Sequence, residues 1–334
     1  MVDERKAAIL RAVIEQYTDT AQPVGSSAAA RAAGLQVSAA TVRNDMVALE
    51  ADGYLTQPHT SAGRVPTEKG YRYFVDSLDL NDLRGRGASA DQPVAAFFGE
   101  LRGELEQVMK ETASLLSDLT DYAAVVVDDT IEAAVVRSVQ LVPLAGRAVM
   151  SVAVLSNGQV LKQTFEFDAE IETDAIDRAS RLLAEAAVDR PAGESVKPRT
   201  SGDSLVDALV GQFYDDMVDG DPEGERVYVD GASKVASAFQ AVDSVSQVLT
   251  ILEQQLVVVS LLADVVERGL SVAIGSETGV APLSECSLVV SPYEIDGEHA
   301  GSIAVLGPTR MNYPQAMSAV AVVSRQLGQM LSEG

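Results

Sequence analysis

The stretch VSAATVRNDMVALEADGYLTQPHTSAGRVPTEKGYRYFVD, residues 37–76, decides how the first quarter of this chain folds. Ser38 is placed to cap a helix over AATVRNDMVALEAD, which Gly53 closes. Val42, Met46 and Leu49 recur at i, i+4, i+7 and mark the inner face of that helix. Beyond it, YLTQP and RVP read as two extended arms, because a residue before proline is pushed out of the helical region. HTSAG is the tip between them, with Gly63 able to take a positive φ, and Thr67 caps a further helix over EKGYRYFVDSL. Working backwards, SSAAARAA is a short helix rich in small residues, capped by Ser26 or Ser27 and closed by Gly34. Residues 3–18 set Ile9, Leu10, Val13, Ile14 and Tyr17 on one helical face, with Asp3 as cap. A short small-residue helix, a tight turn, a longer helix and a hairpin make a winged helix-turn-helix.

That layout leaves the second helix of the pair able to enter a major groove. Its outer N-terminal positions are Ser38, Ala40, Thr41, Arg43 and Asn44. Arginine can fork onto guanine, asparagine onto adenine, and alanine or threonine can touch a thymine methyl. The hairpin tip offers His59, Thr60 and Ser61, followed by Arg64, for phosphate oxygens. The run Leu55 to Thr67 holds no carboxylate, in a chain that carries 49.

Charge follows the same division. The net charge is −24, yet residues 1–78 hold eight basic and nine acidic residues, leaving 17 basic and 40 acidic for the remainder. A near-neutral head is thus joined to an acidic body.

Other function classes find little support. Cys286 is the single cysteine and sits in the apolar CSLVVS, which points to an inert buried thiol. Two histidines, His59 and His299, are too few for a zinc site or a Ser-His-Asp triad, and no phosphate-binding loop or G-x-S-x-G elbow occurs. No catalytic residue, cofactor or metal is expected. The opening MVDERKAAIL lacks the basic-then-apolar order of a secretory signal. The longest apolar run, Leu256 to Val266, is too short for a bilayer and is broken by Asp264. A cytoplasmic protein without membrane contact is the expectation.

In the body, 83–93 reads as a Gly/Ser/Asp/Pro-rich linker and about 94–120 as a helix. AAVVV is a buried strand, and VRSVQLVPL, RAVMSVAVL and VLKQTFEF form an antiparallel meander, followed by a helix from a Thr173 cap. Towards the C-terminus come two strands, a hairpin at IDGEHAG, a third strand and a terminal helix, the ending of a GAF-type α+β domain. Residues 190–252 fit that sheet poorly and read as a mostly helical insertion. Tyr293, Glu277 and Arg310 are candidates for a ligand pocket, although structural roles are favoured for all three.

PVGSSAAA, the 37–76 stretch and, near the C-terminus, VLGPTRMNYPQAM together resemble the HrcA heat-inducible transcription repressors. The chain departs from that pattern in an alanine-rich GSSAAARAAG and in its strong acidity. The resemblance implies a homodimeric repressor of chaperone operons. It would bind double-stranded DNA at an inverted repeat, the CIRCE element, with GroEL chaperonin supporting its active state. It also implies that the insertion is a dimerisation domain. The expected multi-domain α+β architecture is therefore a winged helix-turn-helix over 1–82, the linker 83–93, a GAF-like domain over 94–189 and 253–334, and the inserted dimerisation domain over 190–252. A metabolite-responsive regulator, with the GAF-like part as receptor, is the alternative.

Overall fold

A computed structural model of the chain describes residues 2–35, 37–59, 62–78, 92–101, 105–128, 135–144, 147–156, 160–167, 171–192, 198–219, 227–234, 248–252, 254–267 and 271–333. The linker 83–93 lies almost entirely outside these residues.

The head comprises helices α1 (Glu4–Thr20), α2 (Ser26–Ala32), α3 (Ala39–Ala51) and α4 (Glu68–Asp76), with the hairpin β1 (Leu55–Thr56) and β2 (Val65–Pro66) between the last two. Caps set three of the helix starts. Asp3 accepts the Lys6 N–H at 2.9 Å, Ser38 accepts that of Thr41 at 3.1 Å, and Thr67 accepts that of Gly70 at 3.1 Å. α2 differs from expectation, because Gly25 takes the cap position and neither Ser26 nor Ser27 supplies a bond. The fully buried Ala29 faces the interior with Ile9, Leu10, Val13, Val42, Met46 and Leu49.

The body is built on an antiparallel five-stranded sheet in the order β7 (Val227–Asp230), β3 (Ala123–Asp128), β10 (Glu298–Pro308), β9 (Cys286–Ile295), β8 (Val272–Ile274). Every residue of β3 is buried, as a strand covered on both faces requires. One face packs Ala124, Val126, Val289, Ile303 and Val305 into a core with α6 (Leu105–Thr120) and α10 (Tyr313–Glu333), and the helical segment 92–100, α5, joins it through Val94 and Phe98. The other face packs Ala123, Val125, Val127, Leu288, Val290, Ala304 and Leu306 against α9 (Gln255–Glu267).

The meander does not extend this sheet. Strands β4 (Val136–Pro143), β5 (Ala148–Leu155) and β6 (Val160–Glu166) form a separate three-stranded sheet. It packs on α7 (Thr173–Ala187) and α8 (Ser204–Asp219) around a third core, from Val136 to Phe213. The excursion from the main sheet therefore lies between β3 and β7 and includes 136–219. The expected boundaries, which gave 94–189 to the main domain and 190–252 to the insertion, are corrected accordingly. The reason is in the alternation: β5 buries only every second residue, the pattern of a sheet covered on one side. Glu172, not Thr173, holds the cap position of α7.

The head is not a separate globule. Its core is continuous with the α6/α10 face of the body, running from Ile9 through Tyr71 and Phe74 to Met311, Tyr313 and Leu327.

Candidate nucleic-acid interface

α3 is held by its inner row, and its outer row faces solvent. Val42, Asp45, Met46 and Leu49 are buried, whereas Ser38, Ala40, Arg43, Asn44 and Val47 are exposed and Thr41 is half-buried. Ser38 Oγ also lies 2.9 Å from Thr41 Oγ1, so the hydroxyls of the first turn are tied together.

Both carboxylates of α3 are drawn away from the outer row. Arg5 of α1 grips Asp45 with two bonds, Nε to Oδ2 at 2.8 Å and Nη2 to Oδ1 at 3.0 Å. Arg64 of the hairpin donates to Glu50 Oε2 from Nε at 2.9 Å and reaches it with Nη2 at 2.8 Å. The Arg64 side chain is 15% exposed, so the structure makes it a brace between hairpin and helix. Asp45 occupies the inner row beside Met46, and that placement in the sequence already required a cation from another element. The exposed Val47 was not singled out from the sequence.

The hairpin pairs Leu55 with Pro66 and Thr56 with Val65. Arg64 and Val24 then exchange two backbone bonds of 2.9 Å, which stitch the segment before α2 onto the hairpin. Gly63 has no positive φ. An added Cβ there would overlap the Val24 carbonyl, so close backbone approach is what demands glycine. At the tip the exposed His59 accepts the Ala62 N–H at 2.9 Å through its carbonyl, and Gln57 Nε2 donates to the Ala62 carbonyl at 2.9 Å. Thr60 and Ser61 lie outside the described residues. Of the predicted site, Ala40, Arg43 and Asn44 share the exposed outer face of α3, Ser38 and Thr41 lie bonded together at its N-terminal turn, and Arg64 is turned from solvent to Glu50.

α4 seats the head on the body. Arg72 Nε donates to Glu277 Oε1 at 3.0 Å, Nη2 donates to Glu277 Oε2 and, at 2.7 Å, to the Val272 carbonyl. Glu277 Oε2 also accepts the Ile274 N–H at 2.9 Å. Burial pushes the Glu277 carboxyl up, but the Arg72 guanidinium and the Ile274 N–H outweigh it and hold the carboxyl below its usual value. Glu68 accepts from the Ser276 hydroxyl at 2.6 Å and from its N–H at 3.2 Å. Beside these bonds the Tyr71 ring packs on Tyr313 at 5.7 Å between centroids.

Tyr313 of the GPTRMNYP segment completes the seat. Tyr313 Oη lies 2.7 Å from both Ser287 Oγ and the Thr309 carbonyl, to which it donates, and burial pushes its pKa above the ordinary tyrosine value. Tyr122 Oη accepts the Asn312 N–H at 2.9 Å.

The three residues considered for a ligand pocket do not converge. Glu277 belongs to the seat, Tyr293 is buried, and a surface groove of about 570 Å³ between the β9–β10 hairpin and α10 is lined by Tyr293 without Glu277 or Arg310. Burial pushes the Cys286 thiol up to about 12, which makes it inert. Among the described residues no group of three or more His, Cys, Asp or Glu could hold a metal ion, and no helix is long and apolar enough to cross a membrane.

Comparison with known proteins defines the class to which this head and body belong. Residues 106–317 match the model of the HrcA protein C-terminal domain. The heat-inducible transcription repressor HrcA of Nocardioides sp. is 38% identical, with all of both chains covered, and that of Nocardia farcinica is 37% identical, covering 99% of this chain and 97% of its own. A crystal structure described as that of a hypothetical protein shares the fold, with a TM-score of 0.66 at 20% identity over 100% of this chain and 99% of its own. The chain belongs to the HrcA family of heat-inducible transcription repressors. It is a transcription repressor and not an enzyme.

Proposed function

We propose that the chain is a homodimeric, sequence-specific repressor of chaperone operons whose head is a winged helix-turn-helix. α3 enters the major groove of an inverted-repeat operator of the CIRCE type, and the β1–β2 hairpin lies along the backbone as a wing. Ser38, Ala40, Thr41, Arg43 and Asn44 face the bases and adjacent phosphates, and the tip residues His59, Thr60 and Ser61 face the backbone. Arg64 supports this surface by holding Glu50 away from it. The observation that carries the reading is the outer face of α3: it exposes Ala40, Arg43 and Asn44 while both of the helix's carboxylates are paired with arginines of other elements.

Two-fold assembly suits an inverted repeat, because joining two half-site contacts raises their effective concentration. We assign it to the module of β4–β6, α7 and α8. Its sheet carries Val142, Met150, Val152, Val154 and Val160 on the side away from α7, all partly or fully exposed. The remainder of the body is read as GAF-like, and the cytoplasm as its setting. Support of the active state by GroEL chaperonin is proposed from family membership.

The test is footprinting of the full chain on the region upstream of the host's chaperonin operon, with Arg43→Ala and Asn44→Ala alongside. The expected result is a protected inverted repeat, with each variant losing about 1–3 kcal/mol on that repeat and less on random duplex. Equal losses on both duplexes would limit these two residues to phosphate contacts, and absence of a protected repeat would sink the reading.

A further inference from the structure

Val47 is the exposed residue of α3 that the fold does not explain. It is 47% exposed, and it is the one large apolar side chain of the head in that state among the described residues; the others, Leu144, Val160 and Leu205, belong to the β4–β6 module. A β-branched side chain is a poorer helix former than alanine, because its χ1 is restricted against the preceding turn. With so much of it in water, Val47 gains little burial to offset that preference.

Its position is specific. Val47 follows Arg43 by four residues and Asn44 by three, and Ala40 by seven, so these four share one stripe of the helix. From Ala40 to Val47 the stripe runs about 10 Å at 1.5 Å per residue, within a major groove about 12 Å wide. Asp45 and Glu50, the two acids nearest it in sequence on α3, are held by Arg5 and Arg64, so no carboxylate of α3 competes for the same groove floor. The major groove displays one apolar group, the 5-methyl of thymine.

We infer that Val47 reads a thymine methyl in each operator half-site, next to the base pairs faced by Arg43 and Asn44. This rests on the proposed DNA-binding reading and adds to it a required thymine 5-methyl on one strand, a group that hydrogen bonding does not detect. Deoxyuridine keeps every hydrogen-bonding edge of thymine and removes only the methyl.

The experiment is a single-site scan in which each thymine of the protected repeat is replaced by deoxyuridine, with binding measured for the wild-type chain, Val47→Ala and Val47→Thr. Wild type should lose about fourfold at one position per half-site, the worth of one buried methyl group. Val47→Ala, with only a short Cβ left, should lose most of the sensitivity at that position while keeping any loss that arises elsewhere, and Val47→Thr, which retains one γ-methyl, should fall between. The melting temperature of Val47→Ala should be unchanged or raised, which separates this role from a structural one. The inference is overturned if wild type and Val47→Ala give the same deoxyuridine profile on a repeat both bind, a result that leaves the operator reading intact. Failure of wild type to prefer the repeat over random duplex removes both.

Discussion

Asp45 and Glu50 would place two negative charges on the helix proposed to enter DNA, were each not bound by an arginine from another element. The Arg64 contact thereby acquires a different meaning from that of a phosphate ligand. Arg64→Ala should weaken binding to every duplex, because it frees Glu50 to repel phosphate, and adding Glu50→Gln should recover much of the loss. Gel-shift titrations of the single and double variants decide the matter. If the double variant binds no better than Arg64→Ala, Arg64 touches phosphate itself. In the sequence, a lone arginine behind a proline- and glycine-rich tip reads as a direct anion contact. The pairing of Arg64 with Glu50 appears only once the hairpin is seen folded beside α3, with the Val24–Arg64 bridge fixing the backbone of Arg64 against the segment before α2.

At the scale of elements, the sheet β4–β6 has one dry face and one partly apolar outer face. Val152 sits in the middle strand, between Gln140 of β4 and Lys162 of β6. Val152→Lys should convert the proposed dimer into a monomer and weaken operator binding, without lowering the melting temperature of the main core. Sedimentation equilibrium measures the first effect, and a variant that remains dimeric would exclude this face from the interface. The elements themselves were largely legible: the 3.6-residue rows of α1 and α3, the unbroken AAVVV of β3 and the hairpin between β9 and β10 all appear in the sequence as they do in the fold. Their grouping was not, because residues 136–166 carry good strand patterns whichever sheet they join. The proposed base-reading residues of α3 were legible because a capped helix fixes which side each residue takes. Val47 was not, since a single valine among alanines gives no signal until its exposure is known.

Across the whole molecule, the bonds of Arg72 and Glu68 to β8 and the turn after it, with Tyr71 on Tyr313, join head and body through one core. The packing of GPTRMNYP on the head is not legible locally, because its partner, α4, lies more than two hundred residues earlier. Glu277 makes this junction sensitive to acid. Its carboxyl is held below the ordinary value of 4.5, so the pair stabilises the fold fully above that pH, and the contribution is lost as pH falls through the lowered value. Wild type should melt higher than Glu277→Gln at pH 6–7, and the gap should close on acidification below about pH 4.5. A gap that stays constant over that range would show that the charge of Glu277 contributes nothing. The seat also governs geometry. In the proposed dimer the two α3 helices are carried like the jaws of a pair of callipers, with their opening set by the bodies. One base pair added between half-sites turns the second jaw's target by about 35° around the duplex axis, and a head on a loose tether would follow that turn. A jaw bolted at Arg72 and Tyr71 does not, so the spacing of the repeat becomes part of what this repressor recognises.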